Sequence, residues 1–350
     1  MRIVLVTDAA PPQVNGVVIT LATLTQELVH LGHDVRTISP AMFRTMPCPT
    51  YPEIRLALFP YRGVRAAIEH AQPDAVHIAT EGPLGMAARR VCIESGLRFT
   101  TGYHTRFPEY VRARFPVPLG ITYAWLRHFH GAAQRVLVPT ASMQEELVRR
   151  RITNTVIWPR GVDLARFVPD GPCAIESKRP VFMYVGRVAV EKNLEAFLDL
   201  DLPGEKWIVG GGPQLAQLKR RYPDAHFAGA KAHHELAAWY RSADVFVFPS
   251  RTDTFGLVLL EALACGVPVA AYPVPGPKDV IGRSAAGVLD EDLWSATIAA
   301  LQLGAGSARE HAMQFSWQRV AQMFAGHLAV PARAPQQGPV AQAPVSALQP

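Results

Sequence analysis

Short apolar runs alternate with amphipathic stretches along the first 170 residues. Residues 2–7 form a continuous apolar run, typical of a strand buried on both faces. In residues 17–31 leucines recur at helical spacing, and Gly32 follows as a C-cap. A strand-like run at residues 33–39 completes a βαβ unit. Further strands are predicted at 54–59, 75–79, 98–102, 135–139 and 155–158, and further helices at 84–95, 120–133 and 142–151.

The alternation restarts after residues 170–180, which are rich in Pro, Gly and small side chains. Strands are predicted at 181–185, 207–210, 226–227, 245–249 and 267–271, and helices at 193–200, 215–222, 234–243 and 255–265. Two successive βαβ arrays predict an α/β chain with two doubly wound, Rossmann-like domains facing across a cleft. We assign residues 1–170 to the first domain, 171–180 to the linker, 181–313 to the second domain, 314–330 to a closing helix and 331–350 to a disordered tail.

Composition and charge narrow the class of protein to which the chain can belong. Of 350 residues 49% are apolar, which excludes wholesale disorder, and no apolar run is long enough to span a bilayer. The net charge of +6 lies wholly in residues 1–170, which hold nineteen Arg, no Lys and thirteen acids. This half is expected to meet an anionic surface or substrate, although an arginine-rich genome composition is the alternative. The four cysteines are far apart and no signal-peptide pattern is present, which predicts a reduced cytoplasmic protein, peripheral on the inner face of the membrane.

Two basic side chains follow the first strand of the second half. Arg187 and Lys192 lie in Gly186-Arg-Val-Ala-Val-Glu-Lys-Asn193, between that strand and the next helix. A forked guanidinium and an ammonium at one strand end can neutralise a diphosphate. A pair of surface basics is the alternative.

A second constellation occupies residues 250–262. Asp253 stands in the loop after a predicted strand, and Gly256 at the next helix start permits close approach of a phosphate. Glu261 lies in an otherwise apolar helix, where an unpaired carboxylate would cost several kcal/mol. Sugar hydroxyls would supply the donors it needs. A buried structural ion pair is the alternative.

The first half contributes its own candidates. Gly16 follows the first strand and opens a helix, so its backbone could approach a phosphate; an ordinary strand–helix turn is equally open. His104 ends a strand and is expected to point into the cleft, although lone histidines are often core or surface residues. Glu81 lies in a similar strand-to-helix loop, and Tyr103 and Arg106 flank the strand end that carries His104. The dinucleotide fingerprint is missing, and the Asp-Leu-Asp run at 199–201 is a chance match, so no metal site is predicted.

The motifs GRVAVEKN at 186–193 and SRTDTFGLVLLEALACGVPVAA at 250–271 resemble the retaining glycosyltransferases of family 4, which have the two-domain GT-B fold. The resemblance covers the chain to about residue 325 and includes the RGVD run at Arg160–Asp163. The family's E-x7-E motif has Asp253 in place of its first acid. TDTFG is similar to the subgroup containing GDP-mannose-dependent α-mannosyltransferases and sulfoquinovosyl-diacylglycerol synthases.

This resemblance implies a retaining, metal-independent transfer of a hexose, with mannose favoured, to a lipid or glycan hydroxyl. The donor would be a GDP- or UDP-sugar, with no further cofactor. It implies roles for eight residues: His104 beside the reacting carbon, Arg187 and Lys192 on the diphosphate, Asp253 on the donor sugar, Glu261 on the ribose, Gly16 on the phosphates from the opposite domain, and Phe255 and Gly256 in the donor loop.

By this resemblance Glu81, Tyr103 and Arg106 are assigned to the acceptor side. Residues 106–135 extend that side and hold five Arg, one Glu and six aromatic residues. Such a mixture suits contact with an anionic membrane. A helix packed in the first domain with its arginines in solvent is the alternative. No nucleic-acid partner is expected. A nucleotide-sugar epimerase and a non-catalytic sugar-nucleotide binding protein of the same fold stay open as other functions.

Overall fold

The computed structural model describes residues 1–13, 15–48, 51–114 and 116–328, and contains two six-stranded parallel sheets. The first half comprises β1 (Arg2–Val6), α1 (Gly16–His30), β2 (Asp34–Ile38), β3 (Thr45–Cys48), β4 (Tyr51–Ala57), α2 (Tyr61–Ala71), β5 (Ala75–Ile78), α3 (Pro83–Glu94), β6 (Phe99–Gly102), α4 (Phe107–Arg114), α5 (Leu119–Gly131), β7 (Arg135–Val138), α6 (Ala141–Arg149) and β8 (Thr155–Ile157). The sheet order is β2-β1-β5-β6-β7-β8, and β3 and β4 form a separate antiparallel hairpin.

The second half repeats the alternation. It comprises β9 (Val181–Val185), α7 (Glu195–Leu198), β10 (Glu205–Val209), α8 (Leu215–Arg221), β11 (His226–Gly229), α9 (Leu236–Arg241), β12 (Val245–Phe248), α10 (Leu257–Ala264), β13 (Val269–Ala271), α11 (Pro277–Val280), β14 (Gly287–Leu289), α12 (Leu293–Ala300), α13 (Ala305–Ala312) and α14 (Trp317–His327). Its sheet order is β11-β10-β9-β12-β13-β14, so the order reverses between β9 and β12. Ligands of such sheets bind at this reversal, beyond the carboxyl ends of the strands. The predicted α/β class with two Rossmann-like units is confirmed.

The central strands of both sheets are apolar and lie in the hydrophobic cores of the two halves. Every residue of β5, β9 and β12 is buried, as continuous hydrophobic runs require when helices cover both faces of a sheet. No helix within the described ranges combines the length and apolar character that crossing a bilayer requires.

The closing helix α14 does not pack on the half that precedes it. Its buried residues Val320 and Phe324 share a cluster with Leu24 and Leu28 of α1. The Trp158 indole donates to the Val320 carbonyl at 3.0 Å, which fixes the helix against the end of β8. The C-terminal segment therefore returns to the first half.

Several elements escaped the sequence patterns. The β3–β4 hairpin starts earlier than the strand predicted at 54–59, and α2, α4, β14, α12 and α13 had no predicted counterpart. The strand β14 is only three residues long, and α4, α12 and α13 have weak periodicity. The helix α2 is clearly amphipathic, with Val64, Ile68 and Ala71 buried on one face, so its pattern indicates a helix that the prediction omitted. The predicted tail at 331–350 lies outside the described residues.

Candidate active site

The carboxyl ends of β9 and β12 bring three predicted donor-site residues to one edge of the second sheet. Arg187 follows β9, Lys192 ends a 3-10 turn (Val190–Lys192), and Asp253 follows β12. The Lys192 ammonium and the Asp253 carboxylate form an ion pair at 2.5 Å, with less than a fifth of each side chain exposed. The sequence had placed these two residues in the same site without pairing them.

The second oxygen of Asp253 is the feature that most distinguishes this edge. Oδ2 is buried and has no hydrogen-bond partner in the structure, while Oδ1 is held by Lys192. A buried carboxylate oxygen without a donor is unfavourable by about 1–3 kcal/mol, or more because it is charged. No group of the described residues donates to this oxygen, so a ligand hydroxyl could supply the hydrogen bond.

The N-terminus of α10 opens beside this acid. No side chain caps the helix, and its N-cap residue Gly256 has φ +86°, a left-handed conformation that favours glycine. An added Cβ at Gly256 would lie 3.0 Å from Leu259. Free N–H groups and the positive end of the helix dipole can therefore face an anion at this point.

Glu261 is buried on α10 but already has donors. Tyr240 donates its hydroxyl to Oε2 at 2.8 Å, and His233 Nε2 lies 3.0 Å from Oε1. Burial, followed by the neighbouring Glu261 charge, raises the pKa of Tyr240, so its phenol keeps the proton that it donates. Arg166 Nη1 lies 2.9 Å from His233 Nδ1, which leaves the histidine proton on Nε2, facing Glu261. Tyr240 and His233 thus satisfy Glu261 much as a buried structural ion pair would. A ribose bound here would share the Glu261 carboxylate with these two side chains.

The loop that carries Arg187 is supported from beneath. The buried Tyr184 hydroxyl donates to the Arg187 carbonyl at 3.0 Å. The glycine-rich loop at 210–212 packs on the same segment: a Cβ on Gly210 would lie 1.7 Å from the Gly186 carbonyl oxygen. This run of three glycines therefore includes a close backbone contact that shapes the Arg187 loop.

His104 lies beside Arg160. Its ring is buried, Nδ1 lies 3.0 Å from Arg160 Nη2, and Nε2 is enclosed without a hydrogen-bond partner. Because the guanidinium can only donate, Nδ1 accepts and the neutral ring carries its proton on Nε2. Burial, followed by the Arg160 charge, holds the pKa of His104 well below its usual value. The ring therefore lies against Arg160 and Gly102, and its place beside the reacting carbon stays a prediction.

The main chain of His104 nevertheless reaches the donor half. Thr254 donates its hydroxyl to the His104 carbonyl at 2.9 Å, one residue from Asp253. A second contact joins the halves where Ser142 N–H donates to Asp279 Oδ1 at 3.0 Å. The two sheets thus meet directly at the donor edge.

The predicted acceptor residues gather beneath α4 and α5. Arg106 pairs with Glu146, and His130 Nε2 lies 3.3 Å from Glu81 Oε1. The Tyr103 hydroxyl is buried without a partner, and burial, followed by nearby Tyr123 and acidic groups, raises its pKa. Tyr103 is buried, whereas Glu81 and Arg106 are half-buried, so the cluster keeps a partly exposed side, and its acceptor role stays a prediction.

Two further predicted donor residues are placed differently from expectation. Phe255 exposes only 5% of its surface and packs against Phe315, so its ring faces the core. Gly16 opens α1, but Asn15 Oδ1 already accepts from the N–H groups of Val17 and Val18, both at 3.0 Å. Asn15 was not among the predicted site residues, although an Asn directly before a predicted helix is a recognisable N-cap signal.

Other supporting residues were not anticipated. Four residues support the site by contacts that form only in the folded chain: Tyr184, His233, Tyr240 and Thr254. Their only signal in the sequence is a polar side chain within or beside an apolar strand or helix. Such a signal predicts that the side chain has a hydrogen-bond partner but does not identify that partner.

Sequence relatives cover both halves. The family described as Glycosyltransferase Family 4 matches residues 14–166, and Glycosyl transferases group 1 matches residues 179–303. The chain is 31% identical over 316 residues to a GDP-mannose-dependent alpha-mannosyltransferase of Mycobacterium tuberculosis, covering 83% of each protein. It is 29% identical to an alpha-monoglucosyldiacylglycerol synthase of Streptococcus pneumoniae, over 86% of this chain and 78% of the relative.

Solved structures share the fold. Sucrose-phosphate synthase from Thermosynechococcus elongatus superposes with a TM-score of 0.71 at 21% identity, covering 93% of this chain and 97% of the other. Anabaena HepE in complex with UDP and glucose gives a TM-score of 0.68 at 15% identity, with 93% and 98% covered. The two sheets, the motifs and these relatives agree: the chain belongs to glycosyltransferase family 4 and is a GT-B glycosyltransferase that transfers a sugar from a nucleotide-sugar donor.

Proposed function

We propose that the protein is a retaining, metal-independent, GDP-mannose-dependent mannosyltransferase acting on a lipid acceptor. In this proposal residues 181–313 bind the donor and residues 1–170 present the acceptor. The GDP-mannose donor is supported by the 31% identical M. tuberculosis relative. The lipid acceptor is supported by the diacylglycerol in the name of the S. pneumoniae relative.

The buried, unpartnered Oδ2 of Asp253 carries the proposal. A sugar hydroxyl is a neutral donor of the right kind to complete it, and Lys192 holds the carboxylate in place through Oδ1. The adjoining α10 N-terminus and Arg187 then suit the diphosphate that the sugar leaves behind. In this arrangement the donor lies across the reversal point between β9 and β12.

Charge stabilisation at the diphosphate would supply the chemistry. As the bond from the anomeric carbon to the phosphate oxygen lengthens, negative charge grows on the phosphate. Arg187, Lys192 and the α10 dipole oppose that charge with groups that are already fixed. The departing phosphate can take the proton of the acceptor hydroxyl on the same face, which retains the anomeric configuration. His104 acts through its main chain by fixing Thr254, next to Asp253.

Membrane contact through residues 106–135 stays part of the proposal, but fewer side chains of this segment can take part than the sequence predicted. Tyr123 and Phe129 are fully buried, so they cannot enter a bilayer. Phe107 and Ile121 are exposed, as is Arg112, and these side chains are the ones that could meet a lipid surface.

The test is turnover with defined donors. The full chain is incubated with radiolabelled GDP-mannose or UDP-glucose, with diacylglycerol-containing vesicles, in EDTA or in Mn²⁺. The proposal expects mannosylated lipid from GDP-mannose in EDTA, with the α-anomer seen by NMR. Transfer only from UDP-glucose, dependence on Mn²⁺ or a β-product would each contradict the corresponding part. A changed sugar nucleotide without any acceptor would indicate an epimerase instead.

A further inference from the structure

An apolar groove opens between α2 and α3, on the first half of the chain and outside the donor site. It encloses about 710 Å³. One wall is Phe59–Arg62, where α2 begins, and the other is the face of α3 that carries Pro83, Met86, Ala87 and Ile93. We call this feature the α2–α3 groove. At 1.5 Å per residue its α3 wall is about 16 Å long.

Unusually exposed apolar side chains surround it. Phe59 exposes 96% of its surface and Ile93 49%. Of the fourteen exposed large apolar residues in the described part of the chain, Phe59 and Ile93 line the groove, and Met42, Met46 and Leu58 lie shortly before it in the sequence. Apolar surface concentrated in this way marks a binding or membrane-contact face.

The backbone holds one of these rings outward. Phe59 has φ +48°, a left-handed conformation that is uncommon for a bulky residue. Strain of this kind persists only where the surrounding structure imposes it, and it concentrates at functional sites. The turn before α2 therefore holds Phe59 in an unfavourable backbone conformation that places its aromatic ring at the groove mouth.

Arginines border the apolar lining. Arg62 is exposed, and the structure records no ion pair for it among the described residues. Arg90 lies 4.5 Å above the Tyr61 ring and pairs with Glu94 at 2.8 Å. Arg65 pairs with Glu69 at 3.1 Å. Arg89 also lines the groove and donates to the His128 and Phe129 carbonyls, so the lining holds three arginines, Arg62, Arg89 and Arg90, against one acid, Glu94. An apolar groove with this cationic excess is complementary to a lipid whose chain is apolar and whose phosphate is anionic.

The inner end of the groove is fixed to the acceptor side of the cleft. Pro83 begins α3 directly after Glu81 and Gly82, at the carboxyl end of β5. The buried Asp8 carboxylate accepts from Leu84 N–H at 2.9 Å and Gly85 N–H at 3.4 Å, which ties this helix start to the end of β1. A chain lying in the groove would thus lead its headgroup to the sheet edge that faces the donor half.

We infer that the α2–α3 groove binds an acyl chain of the acceptor lipid. The inference rests on the proposed lipid acceptor and adds the place where its chain is held. It differs from the membrane contact at residues 106–135, because that segment belongs to α4 and α5 and does not line the groove.

Chain binding can be measured without any donor. The full chain is titrated with the long-chain fluorescent fatty acid cis-parinaric acid, comparing wild type with Phe59→Gly, Ile93→Ser and their combination. Glycine adopts the positive φ without strain, so Phe59→Gly removes the ring and should leave the fold intact. Met313→Ser, which removes an apolar side chain of the second half that is 59% exposed, is the matched control. We expect the double variant to bind at least 10-fold more weakly and Met313→Ser to bind like wild type. Equal binding by all forms would overturn the inference.

Location is tested with phosphatidylglycerol vesicles carrying a diazirine on the acyl chain. After irradiation, adducts on peptides containing residues 59–62 and 86–93 support the groove. Adducts confined to residues 107–131, or absent altogether, overturn it. Dimers in light scattering that Phe59→Gly dissociates, without parinarate binding, would show that a second copy occupies the groove and would also overturn it.

Calorimetry with GDP-mannose keeps the two proposals separate. If the groove variants lose parinarate but every form ignores GDP-mannose, the donor assignment fails and the groove stands as a lipid site. If GDP-mannose binds and transfer proceeds while no form binds the fatty acid, the groove fails alone.

Discussion

The Lys192–Asp253 pair allows its structural and catalytic contributions to be measured separately. In Lys192→Ala, Asp253 Oδ1 loses the donor that the structure gives it, and Oδ2 has none to begin with. Both side chains keep nearly a fifth of their surface exposed, so water offsets part of the loss. We therefore expect destabilisation of about 1–3 kcal/mol rather than the cost of a fully buried orphan charge.

Catalysis should fall by more than this stability change explains. Losing one fixed charge opposite the leaving phosphate costs about 10²–10³ in rate, or roughly 2.7–4 kcal/mol. The double variant Lys192→Ala/Asp253→Ala removes both charges, so its stability should recover towards wild type while its kcat/KM stays low. Urea unfolding and steady-state kinetics on the two single variants and the double variant complete the thermodynamic cycle. Lys219→Ala, on the exposed side of α8, is the surface control.

One result would refute this reasoning. If the double variant regains activity together with stability, Lys192 serves only to neutralise Asp253 and does not act on the diphosphate. Unchanged kcat/KM in a folded Lys192→Ala variant would lead to the same conclusion.

Three further outcomes are expected. Burial lowers the pKa of His77 to about 3, so the folded state resists protonation of this side chain, whereas the unfolded chain binds the proton near pH 6.5. The contribution of His77 to the free energy of unfolding is therefore complete above pH 6.5. It falls as the pH drops below that value, by about 2 kcal/mol between pH 7 and pH 5. Urea unfolding at the two pH values should show this loss in wild type and a smaller one in His77→Asn. Gly210→Ala should destabilise the fold and weaken GDP-mannose binding in calorimetry, because its Cβ would meet the Gly186 carbonyl at 1.7 Å, whereas Gly211→Ala, with no atom nearer than 3.4 Å, should be almost silent. Arg112→Glu should reduce co-sedimentation with anionic vesicles at low salt, with the difference disappearing at 1 M salt as the Debye length falls to about 3 Å; sedimentation equal to wild type would remove residues 106–135 as the contact.

The alternation of apolar runs was enough to predict the fold class. Strands such as Val181–Val185 and Val245–Phe248 are apolar throughout because helices cover both faces, and that pattern is local and survives in the sequence. The motif residues Arg187, Lys192 and Asp253 were placed at one edge because the carboxyl ends of parallel strands meet there. Elements with weak periodicity, such as α4 and α12, were missed for the converse reason.

What the sequence alone determined is therefore the order of strands and helices and the loops that end at the site. The tertiary structure decided what depends on contacts between distant positions. His104 is held by Arg160, 56 residues later, which donates to its ring. Glu261 acquired donors from Tyr240 and His233 on another part of the second half. The return of α14 to α1 and the α2–α3 groove also arise from packing between separate segments. Side-chain partners across such separations are selected by the geometry of the folded chain, and residue type and spacing do not encode them locally.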